Sequence, residues 1–174
     1  MPDKSPLRRR STSALLELKP LLDHINDEVE QPDYIPMDPV QFMHAFDNKR
    51  NQEIAGFLAA TMAWGRRDIV VSKVDDLLKR MQYMPFEFVM SYSQAEYTAF
   101  RGFKHRTFKP IDMHGLVLTL QEIYRNYQDL EAFWKECYLA GKEEQRPFLG
   151  IFNERFFDLS PDLAPRTRKH VSNP

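Results

Sequence analysis

The sequence holds one cysteine, Cys137, in 174 residues. A lone thiol allows no internal disulfide and no zinc or iron–sulfur site built on several thiolates. It fits a reducing compartment. Long apolar runs are also missing, since no stretch reaches the ~18 residues expected of a membrane span. The N-terminus is basic at Arg8, Arg9 and Arg10 but lacks the apolar stretch of a signal peptide, so the cytoplasm is the expected location. Net charge is −1, which excludes binding of a polyanion by bulk attraction. Any nucleic-acid contact has to come from a local patch. Strand alternation, repeats and the GxSxG, P-loop and GxGxxG patterns are absent. The histidines (His24, His44, His105, His114 and His170) are scattered, and Asp112 and His114 stand two apart, a spacing that does not converge on one helix face. No metal, cofactor or catalytic constellation is therefore expected.

What the chain does have is apolar content, 43%, and aromatics, 13%, enough for a core. The pattern is helical throughout. Residues 51–64 carry Ile54, Ala55, Phe57, Leu58, Ala59, Ala60, Met62, Ala63 and Trp64 around nearly the whole helix circumference, as in a rod at the centre of a bundle. Asn51 is the expected N-cap, Glu53 the first-turn acid, Gly65 the left-handed terminator and Trp64 a core residue, with a base wedge as its alternative. Asp47 reads as another helix-start acid. The predicted fold is all-α, an irregular helical bundle around this central helix.

Other elements follow in order. Residues 1–18 read as a flexible basic tail, with a basic arm on nucleic acid as the sharper alternative. A surface helix is predicted over 19–30, with Pro20 in its first turn. Asp38-Pro39 signals a further start. Val70, Val74, Leu77, Leu78 and Met81 form one stripe, backed by Asp75/Lys79 and Asp76/Arg80 pairs. Pro85 ends it, and one short turn follows. Asp112 is the expected cap of a long helix, with Ile111 and Leu116 as its hydrophobic staple. Asp129 caps the next, which Gly141 ends. Phe148, Ile151, Phe152 and Phe156 mark the last, before Ser160-Pro161.

Two segments carry chemistry. In Gly65-Arg66-Arg67-Asp68, guanidinium groups beside a helix N-terminus suit a phosphate; the alternative is that both arginines lie in solvent or pair with acids. Residues 100–109 alternate Phe100, Phe103 and Phe108 with Arg101, Lys104, His105, Arg106 and Lys109, with no acid among them. That mixture suits stacking and backbone neutralisation on a single strand. It equally describes a long loop pinned to the core by its phenylalanines.

Four stretches, YIPMDPVQF, NQEIAGFLAATMAWGRRDI, FKHRTFKPIDMHGL and RTRKHVSNP, resemble the bacterial family catalogued as domain of unknown function 2400. The resemblance runs from about Leu18 to Pro174. Members of that family are longer, and in them a segment similar to the helix-hairpin-helix DNA glycosylases follows. It implies that residues 19–174 form one helical domain missing a C-terminal part, an incomplete glycosylase-like architecture. It also implies a DNA-facing turn at Gly65, Arg66, Arg67 and Asp68. The expected function is nucleic-acid binding or base repair, with this chain alone inactive. Possible partners are DNA and the missing C-terminal part or a partner chain. The competing expectation is a helical interaction or scaffold module with no nucleic-acid role; a small-molecule enzyme finds no support.

Overall fold

A computed structural model describes residues 12–159. The backbone divides into two compact units, residues 1–36 and 37–174. The first holds helix α1, Thr12–Val29, with Pro20 inside it. The helix thus begins before the predicted start at residue 19, and part of the expected tail is helical. The expected basic arm at Arg8, Arg9 and Arg10 and the closing RTRKHVSNP lie outside the described residues. A 3-10 turn, Pro32–Met37, follows.

The second unit contains α2 (Gln41–His44), α3 (Lys49–Met62), α4 (Arg67–Arg80), α5 (Pro85–Ser91), a 3-10 helix (Gln94–Phe100), α6 (Pro110–Asn126), α7 (Leu130–Glu143) and α8 (Phe148–Asp158). The fold is all-α among the described residues. No helix there is long and apolar enough to cross a membrane.

The predicted central helix is α3, which packs against α2, α4, α5 and α7. It runs two residues earlier than expected, because Asn48 and not Asn51 is its cap: the Asn48 carboxamide oxygen accepts from Arg50 N at 2.9 Å and Asn51 N at 3.4 Å. Burial is one-sided. Ile54, Ala55, Leu58, Ala59 and Met62 face the core, while Ala60, Ala63 and Trp64 are exposed. The most enclosed helix is α6, with ten buried residues of seventeen, among them Asp112, Thr119 and Gln121. It starts at Pro110, so Asp112 sits in the first turn, where its carboxylate accepts from Lys109 N at 2.7 Å. Ile111 is 42% exposed, and the expected staple does not form.

Helix α4 follows expectation. Val70, Val74, Leu77, Leu78 and Met81 are buried, and Asp75–Lys79 and Asp76–Arg80 pair at 2.7 and 2.9 Å. In α7, Asp129 caps Ala132 N at 2.8 Å. Gly141 lies inside this helix instead of ending it. A Cβ there would stand 3.1 Å from the Arg146 carbonyl oxygen, so the glycine lets the α7–α8 link pass close by.

Side chains from distant elements complete the helix ends. Asn51 Oδ1 accepts from Phe86 N at 2.8 Å, in the first turn of α5. The Glu53 carboxylate accepts from Leu130 N at 3.0 Å, Glu131 N at 3.2 Å and the Tyr124 hydroxyl at 2.8 Å. Gln121 Nε2 donates to the Val89 and Tyr92 carbonyls, both at 2.9 Å, closing the end of α5. Burial, with the Glu53 bond next, pushes the Tyr124 phenol well above its ordinary range, so it stays protonated and donating.

Glu53→Ala strands three donors at once. An unmet buried donor costs ~1–3 kcal/mol, and water reaches part of this site, so the expected loss is about 2–4 kcal/mol in total. Urea unfolding followed by circular dichroism measures it. A midpoint unchanged from the parent would show that Glu53 does not hold α7 in place.

Candidate nucleic-acid interface

The two segments singled out by sequence meet at the end of α3. After Met62 the chain leaves the helix through Ala63, Trp64 and Gly65, and re-enters one at Arg67. Gly65 has φ +121°, a conformation L side chains rarely adopt. Opposite it, residues 105–108 form a tight two-residue turn: His105 N donates to Phe108 O at 3.2 Å and Phe108 N to His105 O at 2.8 Å. Arg106 occupies the turn at φ +51°.

Three contacts lock the pieces together. His105 is buried, and its Nε2 lies 3.0 Å from the Met62 carbonyl oxygen. A carbonyl can only accept, so Nε2 carries the proton. Burial above all, then the nearby Arg106 and Lys73 charges, hold this imidazole below its ordinary pKa. The Arg106 guanidinium lies over the Trp64 ring, 5.0 Å from its centroid. It also packs into the space that the missing Gly65 side chain leaves: a Cβ there would stand 2.5 Å from Arg106 Nε and 2.8 Å from Cζ. Trp64 remains 44% exposed. The expectation that it belongs to the core is corrected: it is a surface ring with an arginine laid on it.

The other predicted residues fall as follows. Arg66 binds Asp68 through two bonds, 3.2 and 2.8 Å, and those bonds hold the Asp68 carboxyl below its ordinary pKa. Arg67 Nε lies 3.9 Å from Asp38 Oδ2. Both arginines remain mostly in solvent, 77% and 59% exposed. Asp68 sits in the first turn of α4, so a carboxylate already stands at the N-terminus that the sequence offered to a phosphate. Lys104 and Arg106 are exposed beside buried Phe103, His105 and Phe108. The phenylalanines, Phe100 included, are core anchors and not stacking faces, and His105 is turned inward, away from any ligand. The Arg101 carbonyl accepts from Arg80 Nη1 at 3.0 Å. Arg101 therefore lies by the C-terminal end of α4, a helix about 20 Å long, away from Trp64. Lys109 is exposed at the start of α6, and none of its contacts brings it to Trp64. Lys73, half-buried near His105, was not singled out by sequence because it lies within the regular polar side of α4.

One carboxylate group elsewhere has metal-like spacing. Ligand oxygens of Glu53, Asp129 and Glu131 lie within 4.8 Å of one another. The Lys49 ammonium sits among them at 3.7, 2.8 and 2.6 Å. It supplies the positive charge there, and the bonds to Asp129 and then Glu131 raise its own pKa. The group is a staple at the start of α7.

Two outcomes follow from this geometry. Gly65→Ala puts a side chain at φ +121°, and is expected to cost about 1–3 kcal/mol; the Arg106 guanidinium, the far end of a flexible side chain, can move aside. Denaturant unfolding read by fluorescence measures it, and a neutral result would contradict the backbone strain at Gly65. His105 gives a signed pH dependence. Its folded pKa lies below the unfolded value, so the unfolded chain binds more protons between the two. The stabilisation is complete above about pH 6.5, the unfolded value, and fades as pH falls through the folded one. His105→Gln should flatten the fall in urea midpoint between about pH 7 and 5, and equal slopes for parent and variant would contradict the buried neutral ring.

No curated protein and no solved structure matches the chain. A family model does, over residues 38–174. The match opens at the Asp38-Pro39 start signal, later than the resemblance drawn from Leu18, and takes in the turn at Gly65, the loop through Arg106 and the segment 166–174. The chain belongs to the family described as Protein of unknown function (DUF2400).

Proposed function

We propose that this chain binds nucleic acid at the end of α3, through the Trp64–Arg106 pair flanked by Arg66, Arg67 and Lys104. The observation that carries the reading is the choice of residue at 106. A two-residue turn with positive φ favours Gly, Asn or Asp. Arginine pays a conformational penalty there, and gains it back only through what its side chain does. That side chain lies over an exposed indole, Cζ 5.0 Å from the ring centroid. A guanidinium beside an exposed tryptophan offers a ring for an unpaired base and a charge for its phosphate.

The ion pairs nearby do not oppose this. Arg66–Asp68 and Arg67–Asp38 are exposed, and such pairs contribute little to stability. A phosphate that releases condensed counterions can replace them. Asp68 and Asp38 instead limit affinity, so binding is expected to be weak and strongly salt-dependent. In the wider reading, this face belongs to the DNA-facing side of a glycosylase-like protein, and this chain contributes binding without a catalytic acid.

Fluorescence anisotropy of a labelled single-stranded oligonucleotide, titrated over salt, tests the proposal. Log affinity should fall linearly with log salt. Trp64→Ala should weaken binding by roughly 5- to 150-fold, the range of one lost base stack. Arg106→Asn eases the turn, since Asn tolerates the positive φ, but removes the Trp64 contact, so affinity should drop by far more than any shift in the urea midpoint accounts for. Salt-independent binding, or affinity untouched by both variants, would overturn the assignment.

A further inference from the structure

Helix α4 and the loop that follows Phe100 run side by side in opposite directions. Arg80, at the end of α4, donates to the Ala99 and Arg101 carbonyls and lies over the Phe103 ring. Lys73 stands seven residues earlier, about 10 Å back along the helix. Its charge, like that of Arg106, bears on the buried His105 imidazole. The loop thus passes from the end of α4 back toward its start and meets Trp64 at Arg106. Along it Phe103 and His105 are buried, while Arg101, Lys104 and Arg106 are exposed. The loop turns a row of cations outward, with half-buried Lys73 on the helix beside it. From Arg101 to Arg106 the row spans at most about 18 Å, the reach of five extended residues.

Charge balance sets this row apart. The other cations of α4 stand by acids: Arg67 by Asp38, Lys79 by Asp75 and Arg80 by Asp76. Lys73, Arg101, Lys104 and Arg106 form no ion pair among the described residues. Residues 100–109 contain no acid. Asp76, one turn beyond Lys73, is engaged by Arg80 at 2.9 Å. Like charges gathered without counter-charges repel and cost the compact state, and a line of phosphates relieves that repulsion.

We infer that this row is the track of a single-stranded backbone leading away from Trp64, with Lys73, Lys104 and Arg101 each facing a phosphate. The inference rests on the binding role proposed above and extends it from one nucleotide to a short strand. The row accommodates about five nucleotides of a stacked strand at ~3.4 Å each, and fewer of an extended one. Contacts beyond Trp64 go to the backbone, so the strand is held without regard to its sequence.

Anisotropy of a labelled oligothymidylate of about twelve nucleotides, longer than the track, tests this. Each phosphate contact contributes about 0.7 to the slope of log affinity against log salt for a single strand. Lys73→Gln, Arg101→Gln and Lys104→Gln combined should lower the slope by about 2. Arg101→Gln with Lys104→Gln should lower it by about 1.4; both side chains are exposed, so this pair separates the effect from any folding defect at half-buried Lys73. Trp64→Ala should lower affinity at every salt concentration and leave the slope unchanged, since stacking neutralises no phosphate. Unlabelled thymidylates of about two to eight nucleotides, used as competitors, should gain affinity per register up to about five and then level off. In the triple variant the gain beyond two nucleotides should vanish. Equal slopes for parent and both glutamine variants, or a competitor series flat from two nucleotides upward, overturns the track and leaves the Trp64–Arg106 contact standing. A parent that binds no strand, or binds it independently of salt, overturns the binding role itself and the track with it.

Discussion

Helix ends set the terms of this fold. Every helix leaves backbone donors at its start and acceptors at its finish, and a fold of short helices has many such ends for its length. In this protein the ends are met across the chain. Asn51 serves α5, Glu53 serves α7 and Gln121 serves the far end of α5. Arg80 Nη1 reaches the Ala99 carbonyl at 2.7 Å, at the end of the 3-10 helix, and His105 meets α3. Apolar burial drives the helices together, but it is non-directional. The cross-chain caps supply direction, because each joins one identified end to one identified side chain. The candidate interface is built from the same device: the His105 bond to Met62 brings the turn at Arg106 against Trp64.

How much of this was legible varied with the physics involved. Periodicity exposed the helices and their inward faces, as in α4, since a 3.6-residue repeat is a local property of the sequence. The cap at Asp129 was legible for the same reason. Asn51 and Glu53 were not. Both look like local start signals, yet both serve helices 35 to 78 residues further along, and no pattern near either residue encodes that distance. Asp112 misled in a similar way: an acid near a helix start fits the cap position and the first turn equally well, and Pro110 decides between them. Trp64 was misplaced by size. Two residues past Met62 is ~200° around a helix, so position already pointed away from the core, while bulk and apolarity argued for it.

Electrostatics sharpens the picture of the interface. With a net charge of −1, the chain has no long-range field to draw in a polyanion, and neutral overall charge makes local arrangement decisive. The α3–α4 turn carries its own acids, Asp68 and Asp38. Such acids cap affinity, and they also hold the arginines in defined directions in the absence of a ligand. Salt would weaken both kinds of contact together, since exposed pairs are screened beyond about 10 Å at 0.1 M. The Arg106–Trp64 pair is different. Arg106 on Trp64 is packed as well as charged, so its geometry survives when its long-range attraction is screened.

The positive-φ residues make the strongest case that this corner is specialised. Gln82, Tyr83, Gln145 and Arg106 are the described non-glycine residues with that geometry. Gln82 and Tyr83 follow the end of α4, and Gln145 follows the end of α7, where leaving a helix commonly demands a left-handed residue. Helix termination accounts for all three. Arg106 ends no helix. It sits in a turn that glycine or asparagine would make at lower cost, facing a glycine whose own φ is strained for any other residue. Two unfavourable local choices face each other across one contact, and each is needed for the guanidinium to lie where it does. Two departures from local preference converging on one exposed contact are the observation from which the proposed binding role is argued.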